Sequence, residues 1–518
     1  MSAGSRKATI VLSGLNLGGK LLALGKTLLI AGLFGTSGML DSFWVAYSLP
    51  LLLPGLLTST LTIAFVPRFV ANLAGRTGSD VWRGANTLLT LVLLLALAGS
   101  VLMYLKAGAL VRLMAPGLAP DTHERAVTLT RMLLPCVGLI TMSSLLSALS
   151  LARERFVLPG LEGIVNNVAV VGCALLFAHS MGVTALIWGV ILGYAMQAGL
   201  LLYGNRDLLA SSIRPAFDYS HADFRAPFGH LLPLFVGSAG AMLTGFVDQY
   251  FVSLLDSGSI SALSYASMLA YLPLEVFAQA VITTYYPPLG RLFAAGDSAG
   301  AAATYAHGVR FLLFLTLPCA TLLALLAQPV VELLLQRGHF DTRSTLLTVE
   351  ALGFLSLVVI ARAHAYFSYR VLHAARWAWT QVAIGLAGVA TCIALNALWA
   401  RELGLRGIAL STLIAAIQSA ALSTWAVRRL LGVPWPPGFG RDLAGVVLPC
   451  LVLIAIVLPA NHWIGPADGD RLRAFAHCLI ALPALAAALA VAWVLRQRDL
   501  RDAVAMLSSR LRTKRSTA

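Results

Sequence analysis

Long apolar stretches, separated by short polar breaks, run along almost the whole chain. A spanning helix needs about 20 mostly apolar residues. Stretches of that kind fall at 9–34, 43–67, 85–105, 127–151, 157–179, 182–203, 228–254, 262–288, 308–335, 345–370, 377–400, 405–427, 442–461 and 474–495. Apolar and polar residues do not alternate in short strands, which excludes an outer-membrane barrel. The connections are too short to form a separate soluble domain. The pattern predicts an all-α polytopic membrane protein with about 14 transmembrane helices.

Composition sharpens this picture. Of 518 residues, 58% are hydrophobic and only 11% charged, with a mean hydropathy of +0.83. A soluble domain is about a quarter charged, so a soluble enzyme and a disordered chain are both excluded. The net charge of +15 would suggest nucleic acid in a soluble protein; here it fits basic cytoplasmic loops, and no nucleic-acid partner is expected. With the N-terminus inside, cytoplasmic segments hold 24 of the 37 basic residues, from Arg6 and Lys7 through Arg68, Arg153, Arg206, Arg310 and Arg370 to the tail. That asymmetry predicts both termini in the cytoplasm. The first helix reads as uncleaved, because no small-residue cleavage site closes it. The six cysteines are scattered without metal-like spacing and read as apolar packing residues.

Two segments resemble each other in order. Leu40–Gly75 and Ile260–Gly296 each open with aromatic residues. Each then carries Leu-Pro (Pro50, Pro273), an apolar run, an aromatic-Pro pair (Pro67, Pro288) and a basic exit. An even number of helices separates them, so the copies share one orientation, as in a parallel repeat. The predicted organisation is two pseudo-symmetric six-helix lobes, 1–204 and 205–430, then two C-terminal helices in 431–496 and a basic tail at 497–518. Such lobes enclose a cavity and suit alternating access, with proline bends assisting.

Ionisable groups inside spans cost about 2.5–3.5 kcal/mol on insertion scales, so they mark function by default. The first helix carries Lys20 and Lys26, flanked by Gly18, Gly19 and Gly25. Two lysines can hold a phosphate or pyrophosphate as point charges; snorkelling to an interface is the competing reading. Asp41 opens the second helix, where it can pair with a lysine or cap the helix. Asp248 with Gln249, Glu275 with Gln279, and Arg362 with His364 and Arg370 are candidates for coupling or gating. The competing reading there is interhelical ion pairs and hydrogen bonds. Asn166 and Asn167 read as interhelical contacts, and Arg131 as interfacial. No HExxH, GxSxG or P-loop pattern occurs, so no catalytic residue, metal or organic cofactor is expected.

LGKTLLIAGLFGTSGMLDSFWVAYSLP followed by FVPRF resembles the opening of the MurJ/MviN family. These are the lipid II flippases of the multidrug/oligosaccharidyl-lipid/polysaccharide exporter superfamily. MAPGL at Met114–Leu118, RERFVLPGLEGIVNN at Arg153–Asn167, VDQYFVSLLDSGSISALSYA at Val247–Ala266 and ELLLQRGHFD at Glu332–Asp341 extend the resemblance in order. It implies a cationic cavity that flips an undecaprenyl-pyrophosphate-linked saccharide from the inner to the outer leaflet of the bacterial inner membrane. Sodium, protons or the membrane potential would drive the step. Lys20 and Lys26 stand where family members carry arginines, while Pro54 and Met268 replace two further arginines. Asp41 matches the family aspartate, and Asp248 with Asn396 falls near a family sodium site. On these departures the leading expectation is a flippase for a cell-envelope or exopolysaccharide repeat unit, with lipid II itself as the alternative. A cation-coupled drug antiporter and a non-transporting scaffold for glycosyltransferases are the other readings. Lipid-linked substrate and membrane lipids are the expected partners.

Overall fold

Helix follows helix from one end of the computed structural model to the other. It describes residues 3–75, 80–153, 155–207, 214–219, 228–375, 377–432, 439–465 and 469–494. The helices are α1 (Ala3–Phe34), α2 (Gly38–Gly75), α3 (Asp80–Met114), α4 (Pro120–Leu133), α5 (Pro135–Ala152), α6 (Val157–Gly160), α7 (Glu162–Met181) and α8 (Thr184–Gly204). They continue with α9 (Phe228–Ser253), α10 (Ser259–Pro273), α11 (Gln279–Ala294), α12 (Ser298–Leu325), α13 (Ala327–Leu334), α14 (Thr342–Ala374), α15 (Ala378–Leu431), α16 (Phe439–Ile464) and α17 (Arg471–Val494).

Among the described residues, 11 helices are long and apolar enough to cross a membrane. The 54-residue α15 is two such helices joined at Gly404, whose φ of 58° breaks the helical path. A β-carbon would make that conformation costly. With α15 divided, and with α9 and the α10–α11 pair added, the architecture is consistent with about fourteen spans. The expected fourth span is realised as two helices, α4 and α5, because Pro135 stands at the first position of α5 and stops α4 before it.

Packing separates two compact units, Met1–Ser261 with Arg337–Phe340, and Ala262–Gln336 with Asp341–Ala518. In the first, α7 packs on α8 and α1, α2 on α4 and α5, and α9 on α2 and α3. The break therefore falls after α9, whereas a repeat-based division falls at 204/205; symmetry and packing density are different criteria. Leu88, Leu89 and Val92 of α3 pack with Leu145, Leu146 and Leu149 of α5 and Leu201 of α8. In the second unit, α14 packs on α12 and α15, and α16 and α17 form a pair against α12 and α13. Leu326, Leu453, Val457, Ala484 and Ala488 make the core that joins this pair to the rest. Large apolar side chains face outward, among them Leu97, Leu176 and Trp493. A lipid-facing surface requires that arrangement.

The two copies of the repeat bend differently. α2 runs through Pro50 without a break. After Pro273 the second copy widens into a π-helical turn, Leu274–Ala278, that carries Glu275. A proline removes one backbone donor, and a π turn is one way the helix absorbs the loss.

At the ends of helices the charges behave as sequence rules expect. Asp297 accepts from Gly300 N at 2.8 Å and caps α12. Asp341 accepts from Ser344 N at 2.8 Å and caps α14, and this bond to Ser344 lowers its carboxyl pKa. At the α5–α8 corner Arg153 donates to Asp207 with both terminal nitrogens. Those bonds, with Arg155 nearby, hold the Asp207 carboxyl down at about 2.

Candidate functional site

Glycines let α1 lie against α7. A β-carbon on Gly19 would stand 3.6 Å from the Gly163 backbone, so the two helices cross almost backbone to backbone. Asn167 Nδ2 ties the crossing, donating to Gly19 O at 3.2 Å and to Gly163 O at 2.6 Å. Asn167 thus plays the interhelical role its position suggested. Asn166 packs against Gly193 of α8.

Lys20, next to this crossing, is half-buried. Lys26 is also half-buried and sits six positions on, next to Gly25, whose β-carbon direction is open space. Among the described residues no hydrogen bond or ion pair satisfies the Lys26 ammonium. An ammonium in a low-dielectric span without a partner is an unmet demand for an anion. At about 4 Å and an effective dielectric constant of about 20, one unit charge opposite it gains roughly 4 kcal/mol.

Asp41 does something else. It is 2% exposed and pairs with neither lysine. Its carboxylate accepts from Gly258 N at 2.6 Å, from Ser261 N at 2.8 Å and from Ser261 Oγ at 2.6 Å. Gly258 and Ser261 bracket the start of α10, so Asp41 caps that helix from a distant part of the chain. Around this latch the backbone closes tightly. Gly258, with φ of 97°, lies against Thr36 O, and Gly117 lies against the carbonyl of Ser253. Gly117 N also reaches Ser253 Oγ at 3.3 Å. His339 N donates to Gly32 O at 2.9 Å, which draws the 337–340 segment onto the end of α1. A side chain at Gly117 or Gly258 would hold these surfaces apart.

The remaining predicted site residues are distributed between the units. Asp248 is half-buried on α9 of the first unit. In the second, Glu275 is exposed on the π turn, and Arg362 lies 5.0 Å from the ring centre of Tyr271. His364 Nε2 is 2.5 Å from Thr424 Oγ1, and that hydroxyl donates to Ala420 O at 2.7 Å. The imidazole is therefore the donor and serves as a link between α14 and α15. Asn396 is fully buried, and the side chain of Gln279 lies outside the described residues. Arg131 is exposed and stands over Tyr104 at 5.2 Å.

Two further charged residues are held by contacts that their sequence positions do not announce. Arg310, assigned to a cytoplasmic segment, is 7% exposed inside α12, with Nη2 2.8 Å from His307 Nδ1. The helix starts at Ser298, ten residues before the expected span, so Arg310 lies well within it. Glu162 opens α7 beside Gly163 and bonds to Gln197 of α8. Its signal was present: a carboxylate four residues before Asn166 in an apolar stretch, the same spacing that drew attention to Glu275 and Gln279.

The comparisons with known proteins agree with this scaffold. The model of a protein family described as "Lipid II flippase MurJ" matches residues 30–466. The lipid II flippase MurJ of Burkholderia cenocepacia is 26% identical over 504 residues, covering 92% of this chain and 95% of that protein. The probable lipid II flippase MurJ of Vibrio cholerae is 27% identical over 436 residues, covering 80% and 81%. A solved structure of lipid II flippase MurJ in an inward closed conformation superposes with a TM-score of 0.81 at 20% identity, covering 96% of this chain and all of that one. An inward-facing multidrug resistance MATE transporter of the MOP superfamily shares the fold more distantly, with a TM-score of 0.62 at 15% identity over 82% of this chain. Matched along most of its length, the chain is a polytopic membrane protein that belongs to the lipid II flippase MurJ family.

Proposed function

We propose that this protein is a lipid II flippase of peptidoglycan synthesis, moving its substrate from the inner to the outer leaflet of the bacterial inner membrane by alternating access. The relatives named for lipid II favour this over the expected repeat-unit flippase, which rested on Pro54 and Met268 standing in place of arginines. The observation that carries the reading is Lys26, an ammonium inside α1 with no partner among the described residues. A pyrophosphate is the anion that a lipid-linked saccharide brings to it. Lys20, about 1.7 turns earlier on the same helix, is the second phosphate contact in this proposal. Asp41 is not a phosphate contact. It latches α2 to α10 and belongs to the gate.

Alternating access requires an element with two arrangements. The Asp41 latch supplies one, because three hydrogen bonds and a few glycine contacts can be made and broken without rebuilding a core. Asp248, Glu275 and Arg362 are the proposed coupling groups, for sodium, protons or the membrane potential. The two six-helix lobes, the separate C-terminal pair and the cytoplasmic placement of both termini follow from the repeat and from the basic-residue asymmetry.

The test is complementation. The chain is expressed in a bacterium depleted of its own lipid II flippase, and growth and lipid II exposure on the outer leaflet are measured. Rescue, lost in the Lys26→Met variant, is the expected result. A well-expressed, membrane-inserted protein that fails to rescue would overturn the lipid II assignment and return the weight to another undecaprenyl-linked saccharide.

A further inference from the structure

Near the turn between α16 and α17 a buried histidine is held by two acceptors. His477 is 3% exposed. Its Nδ1 is 2.8 Å from Asn461 Oδ1, and its Nε2 is 2.8 Å from Gly465 O. Asn461 Nδ2 in turn donates to Leu325 O, at the end of α12, at 3.2 Å. These contacts restrict where protons can be. A backbone carbonyl only accepts, so Nε2 must carry a hydrogen. Turning the Asn461 amide round would set its oxygen against the Leu325 carbonyl and lose that bond. Nδ1 therefore also faces an acceptor and must also carry a hydrogen. Only the doubly protonated ring satisfies all three contacts. A neutral ring loses one of them.

We propose that His477 is a proton-binding site, and that the proton bound there fastens the α16–α17 hairpin to the end of α12. Loss of the proton leaves two oxygen or nitrogen lone pairs facing each other in a buried place, where such a mismatch is costly. The clip then opens at one of its arms, leaving the hairpin end to contacts such as Arg471 Nη2 donating to Gln336 O at 2.9 Å and to apolar packing. The proposal rests on this hydrogen-bond geometry and is independent of the substrate assigned above.

The surrounding charges are compatible with a cation here. Helix α13 packs against α17 and brings Glu332, which is 4% exposed. One Glu332 oxygen accepts from Gln328 Nε2 at 2.9 Å; the other, Oε2, has no hydrogen-bond partner among the described residues. Val330 packs into the cluster that holds Ala484, while Gln336 meets Arg471. Glu332 therefore lies between these two contacts along α13. On α17 itself the charged neighbours of His477 are Arg471 and Arg473, the latter paired with Asp470 at 3.6 Å. His462 follows Asn461 on α16 and is exposed.

The experiment uses the full chain in lipid nanodiscs. Nitrogen NMR of 15N-histidine-labelled protein, with the His477 signals assigned by their loss in His477→Gln, reads the protonation of both ring nitrogens directly. At about pH 6 both are expected to be protonated. Hydrogen exchange of the backbone around 458–480, corrected for its intrinsic pH dependence, is expected to accelerate about tenfold or more between about pH 6 and about pH 8. Asn461→Asp, which puts a carboxylate beside the ring, is expected to keep the protection to higher pH. A single protonated ring nitrogen at about pH 6 would overturn the proposal, and so would protection in the wild type that is unchanged between the two pH values. The NMR result stands on the wild-type protein, so it decides the matter even if the glutamine variant fails to fold.

Discussion

Removing the Asp41 carboxylate should open the closed end of the first unit. In Asp41→Ala, Gly258 N, Ser261 N and Ser261 Oγ all lose the acceptor they reach at 2.6–2.8 Å. Hydrogen bonds to a charged group contribute about 1.5–3 kcal/mol each when buried, and a lost helix cap alone costs about 0.5–2 kcal/mol. The three bonds share one carboxylate and are not additive, so roughly 3 kcal/mol is the reasoned total. With about 1.4 kcal/mol per factor of ten, the closed arrangement loses roughly two orders of magnitude in population relative to the open one. Asp41→Asn keeps the shape and one good acceptor, so its effect is expected to be smaller, near one order of magnitude. The assay is a distance distribution between spin labels at Met39 and Asp256, both exposed, in a cysteine-free background. Wild type should give one short, narrow distance. Asp41→Ala should shift most of the population to longer distances. An unchanged narrow distribution in a variant that still supports growth would refute the latch, because it would mean that apolar and glycine contacts hold the end closed by themselves.

Other consequences are simpler to measure. Lys26→Met should abolish flipping without loss of protein from the membrane, while Lys26→Arg should retain it, since charge is kept and a fork gained; Lys20→Ala should also fail, and wild-type transport by either neutral variant would remove that lysine from the phosphate site. Gly117→Ala places a β-carbon inside the Ser253–Leu254 backbone contact, so closure should weaken by about 1–3 kcal/mol, read by the same spin-label distance. Asp341→Ala should lower thermal stability by about 1 kcal/mol. Because the Asp341 carboxyl pKa is lowered in the folded protein, that contribution is present above the ordinary carboxylate range and is lost as pH falls through the lowered value; the wild type and Asp341→Asn should converge in acid, as a melting series against pH would show.

Several features were legible in the residue order alone because they depend on local chemistry. Spans follow from runs of apolar residues, since unpaired backbone groups are intolerable in lipid and helices satisfy them internally. Asn167 as an interhelical tie followed from its polarity within an apolar run. The ordered motifs placed the chain in its family. What the sequence could not decide was who meets whom. By sequence Asp41 could pair with a lysine of the preceding helix, yet its partners lie more than two hundred residues away at Gly258 and Ser261. Local spacing carries no information about that approach, which depends on glycines letting backbones touch. Arg310 is a second case: charge counting concerns its side of the membrane and says nothing of its neighbours, whereas the fold buries it beside His307 on the same helix. The protonation demand at His477 appeared only when three helices brought two carbonyl-type oxygens and one amide to a single ring. Composition and periodicity thus determined the solvent and the helices. Tertiary contact decided which side chains meet: it gives Asp41 to Gly258 and Ser261 and leaves Lys26 without a partner among the described residues, because such approaches depend on chain segments far apart in sequence.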